Sequence, residues 1–312
     1  MREVIVGPES VHTTWDNAIP PAVVIDSGDV VEFRTQEVSG GQIFPGAPAS
    51  TLLGTRKELF YPLAGPVYVR GAGPGDALEV EVLDARPDRW GWSAIIPGLG
   101  LLPDAFPDPY IRHFDLSNGR DTHLTDEVVI PLRPFCGTMG VATDVPGPHR
   151  IAPPGAGAGN IDTRDLVAGS RLWLPVLVPG ALFSAGDCHA AQGDGEVCIT
   201  GIECGMWFRL RFTVIRTGAV RPWTYRYWPA PERPPGAAAR PWFATAAIGP
   251  DLMDGCRRAT LDLIEWVAHE KGLSRPDAYI LCSLAADLKI SQVVDAPNWC
   301  VSAHLPLDVF RR

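Results

Sequence analysis

The chain has 312 residues, a net charge of −9 and seven cysteines, with charged residues making up 20%. That length buries a large core, while the acidic balance and the lack of a basic stripe exclude a nucleic-acid partner. No apolar run reaches the roughly 18 residues of a membrane-spanning helix, and the odd cysteine count without a CxxC pair supports neither a zinc finger nor a disulfide framework.

The first residues lack the apolar stretch of a signal peptide, so a cytoplasmic protein is expected. Gly and Pro number 32 and 31, about a fifth of the chain against roughly 12% on average, as many turns between short strands require. Residues 21 to 38 read as strand, turn, strand: Ala22 to Ile25, the turn Asp26-Ser27-Gly28-Asp29, then Val30 to Thr35. The pattern returns at 66 to 84 around Pro74-Gly75-Asp76 and at 166 to 174 around Gly169-Ser170, a recurring β device rather than a strict repeat. The stretch 87 to 110, with Trp90, Trp92 and several glycines and prolines, reads as a loop that lines a pocket or plugs the end of a sandwich. Arg133, in Pro131-Leu132-Arg133-Pro134-Phe135, would bind a carboxylate, orient an acid or form a buried ion pair.

The run Leu172 to Val178 leads into Gly186-Asp187-Cys188-His189-Ala190-Ala191-Gln192-Gly193-Asp194-Gly195-Glu196. Crowded ionisable groups emerging from a β core cost free energy unless a cation, a proton or a substrate offsets their repulsion. Asp187 and His189 are two apart, which puts both on one face of a strand, and Asp194 and Glu196 repeat that relation. One His with carboxylates suits a divalent ion, zinc first, with a position left for water. A carboxylate left off the ion can serve as general base. The plain alternative is a Gly-Asp-Gly turn beside a solvated His. Cys188 has anionic neighbours, which disfavour a thiolate nucleophile.

Further along, prolines between 228 and 242 read as an extended crossing segment. Asp251 to Glu270 carries a helical apolar face, and Gly272 is a fitting stop. Ser274 caps a second helix through Ala286, apolar nearly all round and so expected to be buried. Trp299 to Leu305 closes as a strand. The class is α+β and β-rich, with two C-terminal helices. One unit over 1–312 is expected, divisible into a β-rich part, 1–225, and an α/β part, 226–312.

Several motifs together resemble the acetamidase/formamidase family over essentially the whole length. They are His12-x-x-Trp15, Ser39-Gly40-Gly41-Gln42, Gly65 to Ala72, Trp90-Gly91, Arg133 to Ala142, Gly159-Asn160-Ile161-Asp162, Gly186 to Glu196 and Asp295-Ala296-Pro297-Asn298-Trp299. The resemblance implies a β-sandwich or barrel core and a homodimer that hydrolyses small amides such as formamide or acetamide with a divalent metal, zinc. It implies Asp187, His189 and Asp162 as metal ligands, Glu196 as general base with Asp194 in the catalytic group, and His12 as ligand or proton donor. Trp15, Asn160, Gln192 and Arg133 would contact the substrate. A γ-lactamase and a non-catalytic metal-binding module are the other readings. Met139 stands where the family has a small residue, which bears on pocket size.

Overall fold

The computed structural model describes residues 2–216, 226–228 and 241–310. The proline-rich segment between 228 and 242 lies for the most part outside the described residues. Two sheets dominate. The nine-stranded sheet runs, in spatial order, Glu3–Val6, Val30–Thr35, Met206–Ile215, Ala77–Pro87, Arg171–Pro175, Arg226–Trp228, Trp242–Gly249, Trp299–Pro306 and Asp287–Gln292. The six-stranded sheet runs Ala158–Asn160, Phe135–Val141, Phe183–His189, Leu63–Val69 and Val11–His12, with Val23–Ile25 also paired to Leu63–Val69. Alternating apolar residues from both sheets, among them Phe33, Val80, Leu172 and Phe208 from one and Val67, Met139 and Phe183 from the other, meet in one core. The architecture is an open sandwich, and no barrel closes among the described residues. Strands from both sides of position 225 share the larger sheet.

The recurring β device is a corner between these sheets. Val23–Ile25 and Leu63–Val69 lie in the smaller sheet, and the strands that follow them, Val30–Thr35 and Ala77–Pro87, lie in the larger. All three turns carry a left-handed glycine, Gly28, Gly75 and Gly169, at φ 96°, 94° and 91°. All three also close an i→i+3 backbone bond: Asp29 N to Asp26 O, Asp76 N to Gly73 O and Ser170 N to Val167 O. In the first two, the turn's Asp accepts a further bond from the amide of Asp26 or Gly73.

Trp90–Ile95 departs from the expected loop. It is a strand paired with Tyr110–Asp115, and Trp92 is fully buried with its indole donating to Glu37 Oε2 at 3.0 Å. Glu37 also accepts from Ser39 N, Ser39 Oγ and Gly41 N, which explains the Ser39-Gly40-Gly41 motif as a nest around a buried carboxylate. Met139 belongs to the sandwich core.

Helix α1, Leu252–Lys271, is capped by Asp251, whose carboxylate accepts from Asp254 N, and stops at Gly272 with φ 67°. Its apolar face packs on Phe243, Ala247, Ala303 and Leu305. Helix α2, Arg275–Ala285, is not buried as its composition suggested. Only Ala278 and Cys282 are enclosed, and Tyr279, Ile280 and Leu284 are exposed. The helix lies over α1 along one narrow stripe, so most of its apolar surface faces outward.

The corner turns generate a direct test. A Cβ at Gly28 would meet nothing within 4 Å, so Gly28→Ala carries only the left-handed backbone penalty, about 1–2 kcal/mol. Gly54, equally open and without positive φ, provides the control. Chemical denaturation should show loss for Gly28→Ala and none for Gly54→Ala, and equal stabilities would refute the turn assignment.

Candidate active site

The site forms at one end of the smaller sheet, where Phe183–His189 lies beside Phe135–Val141 in register Phe135↔His189 and Cys136↔Cys188. Gly137 is the hub. Its carbonyl accepts from Ile161 N and Asp162 N, each at 3.1 Å, so the chain after Asn160 curls back over the strand. A Cβ on Gly137 would fall 2.5 Å from Asp162 Oδ1 and 3.0 Å from His189 Cε1. Only glycine lets this backbone approach the cluster so closely.

Six ionisable side chains converge here: Asp162, Asp187, His189, Glu196, Glu203 and Asp295, none more than 7% exposed. His189 Nε2 lies 3.2 Å from Glu203 Oε1, 3.5 Å from Asp187 Oδ1 and 3.8 Å from Glu196 Oε1. Asp162, His189 and Glu196 form one group of mutually close ligand atoms, and Asp187, His189 and Glu203 form another. Three of these acids, Asp162, Asp187 and Glu196, have left-handed backbones, at φ 42°, 51° and 47°. Such conformations cost about 1–3 kcal/mol each and persist where surrounding structure enforces them, commonly at functional sites.

The orientation of His189 follows from its partners. Gln192 Nε2 donates to the carbonyl of Asp162 at 2.8 Å, which fixes the amide so that Oε1 faces His189. Oε1 lies 2.7 Å from Nδ1 and can only accept, so the Nδ1 hydrogen is held there. Nε2 is thereby turned to the carboxylates, the arrangement typical of metal-binding histidines.

Electrostatics describe a strained site. Burial, then Glu196 and Asp187, push Asp162 well up from the usual carboxylate range. Glu196 is likewise driven up, by burial first and by Asp295 and Glu203. Glu203 and Asp295 both rise to about 7, chiefly through burial. Burial alone would lower His189, but Glu203 and Asp187 outweigh it and hold the imidazole well above its usual range. Among the described residues, no donor reaches either oxygen of Asp162, Oε2 of Glu203 or Oδ2 of Asp295.

These observations fit a divalent ion. Two ligands at the ~2.1 Å typical of zinc, in tetrahedral array, lie about 3.4 Å apart, close to the 3.2, 3.5 and 3.8 Å around Nε2. Carboxylates without donors and one imidazole with a fixed tautomer match the donor set.

The expected site residues divide. Asp162, Asp187, His189 and Glu196 are brought together. Asp194 is not: it faces Arg164 at 3.9 Å, and burial raises its carboxyl while Lys289 and Arg164 lower it. Gly195 and Glu196 both have positive φ, so the strand alternation that would pair Asp194 with Glu196 is broken. His12 is engaged by Thr14 O and Ser184 Oγ, each at 2.8 Å, and burial lowers its pKa. Trp15 packs with Leu63, Ile151 and Tyr61. Asn160 ties strands together, accepting from Thr138 Oγ1 at 2.6 Å and donating to Ala152 O at 3.1 Å. Gln192 contacts His189, and Arg133 faces Asp165 at 3.8 Å. Cys188 points into the core toward Cys136 Sγ.

Glu203, Asp295 and Tyr61 escaped the sequence reading. Glu203 is fixed by Gly201 N at 2.9 Å, between two glycines in an apolar stretch. Asp295 sits in the 295–299 motif, where Gln292 Oε1 accepts from its amide. Tyr61, at φ 58°, feels burial and then the charges of Asp295, Asp187, Asp162 and Glu196, which keep its phenol protonated.

Among known proteins, the model of the acetamidase/formamidase family matches residues 2–148 and 145–312. A formamidase of Methylophilus methylotrophus is 26% identical, covering 96% of this chain and 89% of its own. The solved acetamidase of Bacillus halodurans is 30% identical over 98% of both chains, with a TM-score of 0.85. A γ-lactamase from Delftia acidovorans covers 100% of this chain and 94% of its own at 26% identity, with a TM-score of 0.70. With a match that spans nearly every residue, the chain belongs to the acetamidase/formamidase family.

Proposed function

We propose that the chain hydrolyses short linear amides, such as formamide or acetamide, to a carboxylate and ammonium, with a divalent ion, zinc, held by the buried cluster. The observation that carries this reading is the convergence of four carboxylates, Asp162, Asp187, Glu196 and Glu203, on one His whose tautomer is fixed. Relatives named formamidase and acetamidase supply the substrate class.

Asp187, His189 and Glu203 would hold the ion, with Asp162 beside them. A divalent ion in such a site lowers the pKa of water and polarises a carbonyl. Glu196 Oε1 would take a proton from the attacking water and deliver it to the leaving nitrogen, so that amide plus water gives carboxylate plus ammonium. Gln192 would hold the Nδ1 proton of His189 throughout. A γ-lactam is the second substrate class, favoured by the likeness to the Delftia acidovorans enzyme. A panel of linear amides and a γ-lactam, read by ammonia release and by product mass, separates the two.

Glu196→Gln should keep stoichiometric zinc and lose at least about 100-fold in kcat, the usual contribution of a positioned base. Retained turnover would sink that role. Gly137→Ala places a methyl against Asp162 and His189, so zinc uptake measured by dialysis should fall while near-UV circular dichroism keeps the native form. Undiminished uptake would contradict the proposed cradle.

The raised carboxyls have a pH signature. Asp295 and Glu203 rise from 3.8 and 4.5 to about 7 on folding. Between those values the folded chain binds protons that the unfolded chain does not, so ion-free stability falls as pH rises. His189, whose folded value is also raised, adds stability that is likewise lost as pH rises through that value. The Tm of chelated protein should therefore drop between about pH 5 and pH 8, and zinc should raise Tm more at the upper end. A flat or rising Tm over that window would contradict the charge assignment.

A further inference from the structure

Behind Gln192, on the Nδ1 side of His189, lies an open cavity of about 890 Å³. The hairpin formed by Asp121–Thr125 and Val128–Pro131 provides one wall through Leu124, Ile130 and Pro131. Phe114, Val167 and Ile202 supply more apolar surface. Both ends of the loop that carries Glu196 form another wall, Ala191 to Gly193 at one end and Thr200 to Ile202 at the other. In a chain of net charge −9, the described residues that line this cavity include Arg133 and Arg164 and, among those described residues, no Asp or Glu.

The two guanidiniums are braced rather than adrift. Arg133 pairs with Asp165 at 3.8 Å and Arg164 with Asp194 at 3.9 Å, and Arg164 Nη1 also donates to Gln192 O at 3.4 Å. Each side chain is about a quarter exposed, at 25% and 27%. Planar guanidinium forks match a carboxylate in geometry and charge. The volume suits a ligand far larger than formamide, and the apolar walls suit a hydrocarbon body.

We infer that this cavity is a second ligand site, which takes a monocarboxylate with an apolar body of roughly six to ten carbons and whose occupancy is felt at His189 through Gln192. The carboxylate meets Arg133 and Arg164, and the body lies against Phe114, Ile130 and Val167. Gln192 lines the cavity with one part and bonds His189 Nδ1 with another, so an occupant that displaces it changes the hydrogen bond that fixes the imidazole. The binding stands whether or not the chain hydrolyses amides; only an effect on turnover rests on that reading.

Calorimetric titration of the chelated protein with octanoate tests it, with 1-octanol as the uncharged analogue and acetate as the anion without a body. Octanoate should show one saturable site, and both controls should bind at least tenfold more weakly. Ile130→Glu, which adds a carboxylate to the wall, and Arg133→Met should each weaken octanoate at least tenfold while near-UV circular dichroism stays native. The His189 Nδ1 resonance should shift on saturation. Absence of saturable binding, equal binding of octanol, or unchanged affinity in both variants would overturn the site. Binding without a shift at His189 would overturn the coupling. Failure of the catalytic reading is seen separately, as no hydrolysis of any amide in octanoate-free protein.

Discussion

The repulsion among the carboxylates buried around His189 is the constraint to which the surrounding structure answers. Five acids and one imidazole share a buried volume, and four of their oxygens meet no donor among the described residues. Burying unpaired charge costs several kcal/mol per group unless protons or a cation compensate. The site can stay in place only because the backbone holds it. Asp162, Asp187 and Glu196 sit in left-handed conformations, and glycine at 137 and 201 lets main chain close on the imidazole. A Cβ at Gly201 would lie 2.9 Å from His189 Cγ.

The sandwich supplies that rigidity from three directions. Phe135–Val141 and Phe183–His189 deliver Gly137, Asp187 and His189 from the middle of the smaller sheet. The loop to Glu196 is closed at its neck by Ala190 N to Ile202 O and Ile202 N to Ala191 O, and is held at its tip by Gly195 N to Ser291 O. Ser291 and Gln292 belong to the edge of the larger sheet, and Gln292 also accepts from the amides of Val294 and Asp295. The C-terminal part of the chain thus sets both Glu196 and Asp295. Separation of that part from the rest would dismantle the acid cluster, although α1 and α2 pack far from it in a core of their own.

How much of this was legible in sequence can be read residue by residue. The corner turns were, because a left-handed glycine followed by Asp or Ser is a local requirement. The Asp187–His189 pair was, because both lie within one strand. Asp162 came only with the family motif. Asp194 and Glu196 looked equivalent under strand alternation, yet two consecutive residues at positive φ turn one toward Arg164 and the other toward His189. Asp295 likewise lay in a family motif without a role of its own, and Glu203 and Tyr61 lay in none. Gln192 was legible as polar, but its part depends on the carbonyl of Asp162, thirty residues away. Helix α2 shows the opposite error: an apolar composition predicts burial only if enough surface exists to cover it, and here one stripe is covered.

The proposed chemistry depends on an ion in this cluster that the reaction needs. The most direct test is ammonia release from formamide and acetamide by the purified chain, with metal content measured on the same samples, before chelation, after it, and after zinc is restored. The expected result is stoichiometric metal, turnover that disappears with its removal and returns with zinc, and no return in an Asp187→Asn, His189→Gln double variant. Full turnover by metal-free protein would contradict it.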